Sequence, residues 1–182
     1  YATLELARFC ARHQAHLVSR LRADAALYVP PPARKKGEKG RPRVKGRRIA
    51  SPGNAAREKK ARWKKTSVDW YGGGRRRVRL LTGTGLWYSQ GMAVNIRWAY
   101  VQDHQGTHRD DCIFSTDLSL APERIVSLFT RRWSIEVTFQ EIRAHLGFET
   151  TRQWSKKAVL RMAPCLFGLF SVVCLTFDRH AR

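Results

Sequence analysis

PERIVSLFTRRWSIEVTFQEIRAHL, residues 122–146, carries the strongest periodic signal in the chain. At about 100° per residue, Ile125, Leu128, Ile135, Phe139, Ile142 and Leu146 fall on one side of a helix. The spacing predicts one continuous helix over 122–146. Ser119 stands where a cap is wanted, Pro122 suits the first turn and Glu123 favours the positive helix start. Gly147 is a natural stop. The adjacent side of the helix holds Phe129, Arg132, Glu136 and Arg143, with Trp133 and Gln140 just beyond. One carboxylate therefore stands beside a buried seam, with a guanidinium one turn before it and another two turns after. Such a carboxylate can hold a divalent metal while the arginines grip phosphates on either side of a reacting bond. An ordinary i,i+4 ion pair between Arg132 and Glu136 accounts for the same residues without a ligand. Periodicity leaves both readings open.

Working outward, the segment before this helix reads as β structure. TSVDWY (66–71), RRRVRLLTGTGLWY (75–88) and the run from Met92 to Asp117 are strand-like and broken by glycine or polar turns. Val68/Trp70, Val78/Leu80 and Val94/Ile96/Trp98/Tyr100 alternate as in a half-buried sheet. Asp103-His104-Gln105-Gly106 reads as a hairpin turn. Farther upstream, residues 2–14 read as a helix with Leu4, Ala7, Phe9 and Ala11 as its apolar side. Residues 16–21 read as a short buried strand. Downstream, a last helix is expected over Ser155–Phe177 with a kink at Pro164. Its uncharged run, Met162–Phe177, is shorter than the ~20 residues a bilayer needs, so a buried core helix is the expectation. No internal repeat is present.

Between the first strand and the sheet the chain is dominated by charge. Residues 34–48 contain Arg34, Lys35, Lys36, Lys39, Arg41, Arg43, Lys45, Arg47 and Arg48 against the single acid Glu38. Proline and glycine separate them, so the segment reads as an exposed, mobile loop. A second basic stretch, REKKARWKK (57–65), embeds Trp63, which either anchors the loop or stacks on a ligand. The 182 residues hold 35 Lys and Arg against 14 Asp and Glu, a net charge of +21. A body so charged repels itself unless a polyanion offsets the repulsion. Nucleic acid is the first candidate, because neutralised phosphates release counterions. An acidic membrane surface competes. Hydrophobic residues make up 43%, with six Trp and eight Phe, which excludes a disordered chain. Cys10, Cys112, Cys165 and Cys174 show no paired spacing, which points to buried thiols in a reducing compartment and away from zinc. No signal peptide is visible. The opening Tyr-Ala-Thr lacks an initiator Met, as in part of a longer reading frame.

The spacing Phe129-x2-Arg132-x3-Glu136-x6-Arg143 resembles the Tyr-x2-Arg-x3-Glu-x6-Lys signature of insertion-sequence-4-like DDE transposases. The words TDLSLAPERIV and RRWSIEVTFQEIRAHLGFETTRQWS look like the C-terminal half of those enzymes. Two positions depart from the pattern: Phe129 lacks a hydroxyl, and Arg143 brings a planar fork in place of an ammonium. The resemblance implies an α/β (α+β) fold, the C-terminal part of an RNase-H-like domain. Residues 1–29 would end the core, 30–116 would form a basic loop and β-rich insertion, and 117–182 would supply two long C-terminal helices. It implies that Glu136 is the third acidic ligand of a two-metal site holding Mg²⁺, with Mn²⁺ as a substitute. Arg132 and Arg143 would contact phosphates of the element's end, with Phe129 and Trp133 beside the DNA. The reaction implied is phosphodiester hydrolysis at that end, then strand transfer by the freed 3′-hydroxyl. Double-stranded DNA is the implied partner, with two copies of the chain in a synaptic complex in the bacterial cytoplasm, at the nucleoid, and no membrane.

In relatives the second aspartate precedes a helix like 2–14, so here it would fall before Tyr1. The internal candidates Asp24, Asp110, Asp111 and Asp117 read as turn or cap residues. The expectation is a chain with an incomplete metal site and no cleavage activity of its own. The competing function is a non-catalytic basic module that binds DNA or RNA through residues 30–65. A third is a membrane-surface protein using the basic loop and the last helix.

Overall fold

A computed structural model describes residues 3–34, 36–37, 39–149 and 154–180, with backbone only at 178 and 180. The chain divides into two compact units, Tyr1–Arg131 and Arg132–Arg182.

The first unit is built on long alternating runs that the sequence announces. Strands β5 (Arg75–Ser89) and β6 (Met92–Asp103) form an antiparallel hairpin, and β7 (Asp111–Ser115) continues it. The run 16–21 yields β1 (Val18–Arg20), which among the described residues pairs only with β7. It is therefore an edge strand and not a buried one: Arg20 is exposed and ion-paired to Asp111 at 2.6 Å. On the far side, β5 takes two partners. Its end pairs with β2 (Leu27–Tyr28), which pairs in turn with β3 (Arg48–Ile49). Its start pairs with β4 (Lys64–Asp69). Among the described residues every pairing is antiparallel, and seven strands share one sheet. Residues expected in the core end and in the insertion thus contribute strands to a single sheet.

Both faces of this sheet are covered. On one, helix α3 (Pro122–Arg131) sets Ile125, Val126 and Phe129 against Val68, Val78, Leu80, Ala99, Val101 and Ile113. Thr130 Oγ1 donates to the Asp69 carbonyl at 3.0 Å and ties the last turn of α3 to β4. On the other face, Leu21, Leu27, Leu81, Ile96, Trp98 and Phe114 pack with Trp63 and Trp87. The alternation Val94/Ile96/Trp98/Tyr100 lies on this second face while Ala99 and Val101 serve the first. The central strands are therefore buried on both sides, not half-buried. Helix α1 (Leu4–Arg12), capped by Thr3, whose hydroxyl accepts from the Leu6 N–H at 3.1 Å, lies against β5 and β6. Only Leu4 and Ala7 of its expected apolar side are buried; Phe9 is exposed. A short helix α2 (Pro52–Arg57), capped by Ser51, has no counterpart in the sequence reading.

The expected hairpin turn after Asp103 is the link between β6 and β7. Its organising group is the Asp103 carboxylate, 1% exposed, which takes a bidentate pair from Arg76 at 2.8 Å on both oxygens. It also accepts the N–H of Gln105, Thr107 and His108 and the Thr107 hydroxyl. Arg76 holds the carboxyl well below the usual carboxylate range, and the turn N–H groups add to the effect. Arg76 lies over the Trp70 ring at 5.6 Å, and Trp70 meets His108 edge-on at 5.5 Å.

In the second unit, helix α4 (Ser134–Leu146) ends at Gly147 in the left-handed region (φ 68°), as its sequence position suggests. Helix α5 (Lys156–His180) runs through Pro164. Phe139, Phe148 and Phe167 meet at centroid distances of 5.1–6.0 Å and form the apolar contact of α4 with α5. Two expectations are corrected here. The single helix 122–146 is two helices, because the Ile135 and Glu136 N–H groups bond three residues back, to Arg132 and Trp133, in a tight i→i+3 turn. Ile135, placed on the core side by periodicity, is 52% exposed. Nor is α5 a buried core helix. No residue of Lys156–Phe177 is buried, and the stretch is long and apolar enough to cross a membrane by length and composition. Its Cys165 and Cys174 are exposed, against the expectation of buried thiols; Cys112 is the buried one, and burial raises its pKa.

Candidate functional site

Of the six side chains singled out by periodicity, Trp133, Glu136, Gln140 and Arg143 share a face, whereas Arg132 is exposed in the turn before α4 and does not line it. Trp133, Glu136, Val137, Gln140, Arg143 and Ala144, at helical intervals along α4, line a groove of about 560 Å³. Glu136 lies in the first turn, where the helix dipole favours a negative charge. The i,i+4 ion pair with Arg132 is not formed: among the described residues no ion pair involves Glu136. Arg143 instead donates to Glu149 at 2.8 Å, both side chains being more than half exposed. A phosphate would have to displace that exposed carboxylate, a weak competitor. Phe129 belongs to α3 and is 6% exposed in the core of the first unit, with the Arg20 guanidinium 5.6 Å from its ring. In this arrangement its faces are occupied, not offered to DNA.

The basic segment is not a loose loop at its root. β2 and β3 close it, and beyond them the Val29 N–H bonds the Arg47 carbonyl and the Gly46 N–H the Val29 carbonyl, both at 2.9 Å. Lys45 sits between two tyrosines, its ammonium 4.3 Å from the Tyr28 ring centre and 4.1 Å from that of Tyr88. That cation–π seat makes Lys45 a structural peg, although its charge alone counted it among the phosphate contacts. Arg34, Lys36, Lys39, Arg41, Arg43, Arg47 and Arg48 are exposed on the arm. Arg34 also donates to the Gly40 carbonyl at 2.9 Å. Lys35 lies outside the described residues. Gly46 fits where the two legs of the arm cross, since a Cβ there would stand 2.9 Å from the carbonyl oxygens of Pro30 and Val29. Gly46→Ala is accordingly expected to open the root of the arm at a cost of about 1–3 kcal/mol. Faster amide exchange at Val29 than in the wild type would show it; unchanged protection would refute it.

A family model described as "Transposase DDE domain" matches residues 1–162, which takes in the sheet, α3, α4 and the start of α5. The chain belongs to the DDE transposase family. No curated protein and no solved structure matches it. The mixed α/β architecture, a seven-stranded sheet with helices, agrees with an RNase-H-like DDE domain.

DDE transposases typically use divalent metals. The described residues of this DDE domain do not by themselves fit a two-metal site. The groove on α4 offers one carboxylate, and no group of three His, Cys, Asp or Glu side chains comes together among the described residues. The four internal candidate aspartates are engaged elsewhere: Asp24 with Arg22, Asp110 with Gln102, Asp111 with Arg20, and Asp117 with the Ser119 hydroxyl and N–H. Ser119 is thus held by Asp117, two residues before it. Trp63 packs into the sheet under Arg79 and beside Tyr100, so it anchors the second basic stretch.

Proposed function

We propose that this DDE domain serves an insertion-sequence-4-like transposase, binding the ends of the element and contributing Glu136 to a Mg²⁺-dependent strand cleavage and transfer reaction. The family supports transposition as the activity. The observation that carries this reading is the groove on α4, where Glu136 has no ion-pair partner among the described residues and stands with Trp133, Gln140 and Arg143 on one face. Glu136 would hold metal; Arg132 and Arg143 would position end phosphates; the basic arm would grip duplex backbone irrespective of sequence. Two copies pairing two ends, in the bacterial cytoplasm at the nucleoid, complete the proposal.

One carboxylate cannot position two metal ions. The 182-residue chain is therefore expected to retard duplex DNA in a gel and to leave a supercoiled plasmid carrying element ends unnicked in Mg²⁺ or Mn²⁺. Nicking that disappears in Glu136→Gln would show that further ligands lie within the chain and would overturn the expectation of inactivity. A chain that fails to retard DNA at low salt, and floats with anionic vesicles instead, would overturn the DNA reading. The exposed apolar face of α5 makes that second outcome worth measuring.

A further inference from the structure

β4 and β5 carry a second concentration of charge, apart from the arm. A strand turns alternate side chains to opposite faces. In RRRVR (75–79) this sends Val78 to the α3 face, and Arg76 to the Asp103 turn. It puts Arg75, Arg77 and Arg79 in a row on the other face. The antiparallel register sets Ser67 opposite Arg77 and Lys65 opposite Arg79. Among the described residues none of these four cations has an acidic partner. Lys65 and Arg79 are like charges directly opposite, an arrangement that destabilises a sheet unless something compensates it. Arg79 is held in place over Trp63, 4.9 Å from the ring. Lys65, Thr66, Ser67, Arg77 and His104 border a groove of about 330 Å³.

We infer that this face of β4–β5 is a second surface for the backbone of double-stranded DNA, an inference that rests on the DNA reading above. Arginines at every second residue of a strand stand about 7 Å apart. Duplex DNA offers a charge about every 1.7 Å of its axis, so the row faces several phosphates at once. Single-stranded nucleic acid would need free aromatic faces for stacking, and the ring beside this row, Trp63, is already covered by Arg79 and Tyr100. An anionic membrane attracts cations through its surface charge, and its hold deepens where apolar side chains insert beside them. Here Lys65, Arg75, Arg77 and His104 are exposed and polar.

The test compares the wild type with Lys65→Gln/Arg75→Gln/Arg77→Gln and with Arg75→Lys/Arg77→Lys. Binding to a random-sequence duplex is followed by anisotropy from low to high salt. The Gln variant is expected to lose about 2.7 from the slope of log affinity against log salt, about 0.9 for each phosphate contact, and the Lys variant to keep it. Thermal melting of the Gln variant should not fall, since like charges are removed. A Gln variant with the wild-type slope, beside a wild type that binds, would overturn this surface alone. A wild type that does not bind the duplex would overturn the DNA reading with it. Loss of anionic-vesicle binding in the Gln variant, with DNA binding intact, would assign the face to a membrane and overturn the inference.

Discussion

Asp103→Asn is expected to destabilise the sheet unit by about 3 kcal/mol, the lower end for breaking a buried ion pair, because Arg76 retains some access to water. The carboxylate is 1% exposed and the Arg76 side chain 18%, and together they hold the β6–β7 turn. An amide keeps one acceptor oxygen for what two oxygens now share: the Arg76 fork, three turn N–H groups and the Thr107 hydroxyl. Its NH₂ would face donors. The pH dependence follows from the direction of the shift. Arg76, first, and then the turn N–H groups hold the folded carboxyl below its unfolded value. Its stabilisation is therefore complete above the unfolded pKa of about 3.9 and is lost as pH falls through the folded pKa. Urea unfolding of wild type and variant, followed by tryptophan fluorescence, should show the full gap at pH 7 and a smaller gap near pH 3. Equal stabilities at pH 7, or a gap that widens in acid, would contradict this account.

The sheet was legible because its strands are long and alternate: Val78/Leu80 and Val94/Ile96/Trp98 mark their faces without help from the rest of the chain. The turn at Asp103 was legible from its local residues, whereas Arg76, which organises it from 27 residues away, was not. β2 and β3 have two residues each, too few for any period, and lie beside a segment whose composition reads as disorder. The break at Arg132–Trp133 was invisible because apolar periodicity continues across it; only the hydrogen-bond pattern changes. On α4 the spacing grouped Trp133, Glu136, Gln140 and Arg143, which line one groove, together with Arg132, which does not. It also grouped Phe129 with them, although that ring belongs to the sheet core. Counting cations on the arm could not reveal that Lys45 is seated between two tyrosines contributed by different strands. The row Arg75, Arg77, Arg79 follows from strand alternation alone, but in that run the apolar positions Val78 and Leu80 carry the periodic signal.

The largest effect on binding is expected from removing residues 34–43, which leaves β2, β3 and the Lys45 seat intact. The deletion takes away six cations, Arg34, Lys35, Lys36, Lys39, Arg41 and Arg43, with the one acid Glu38. Contacts to phosphate carry no base information, so affinity should fall alike on all duplexes. If most of the six cations reach phosphates, the salt slope should flatten by roughly 3–5, and affinity near 0.1 M salt should drop by about a hundredfold or more. Arg132→Ala should behave differently, lowering the preference for the element's end while leaving the slope within about 1 of wild type. A salt titration of wild type, the 34–43 deletion and Arg132→Ala on end and random duplexes separates the two contributions to DNA binding. A parallel loss on both duplexes is expected for the deletion and a selective loss on end DNA for Arg132→Ala. An unchanged affinity and slope in the deletion would show that the basic arm is only solvated and that the +21 charge does not serve DNA binding through it.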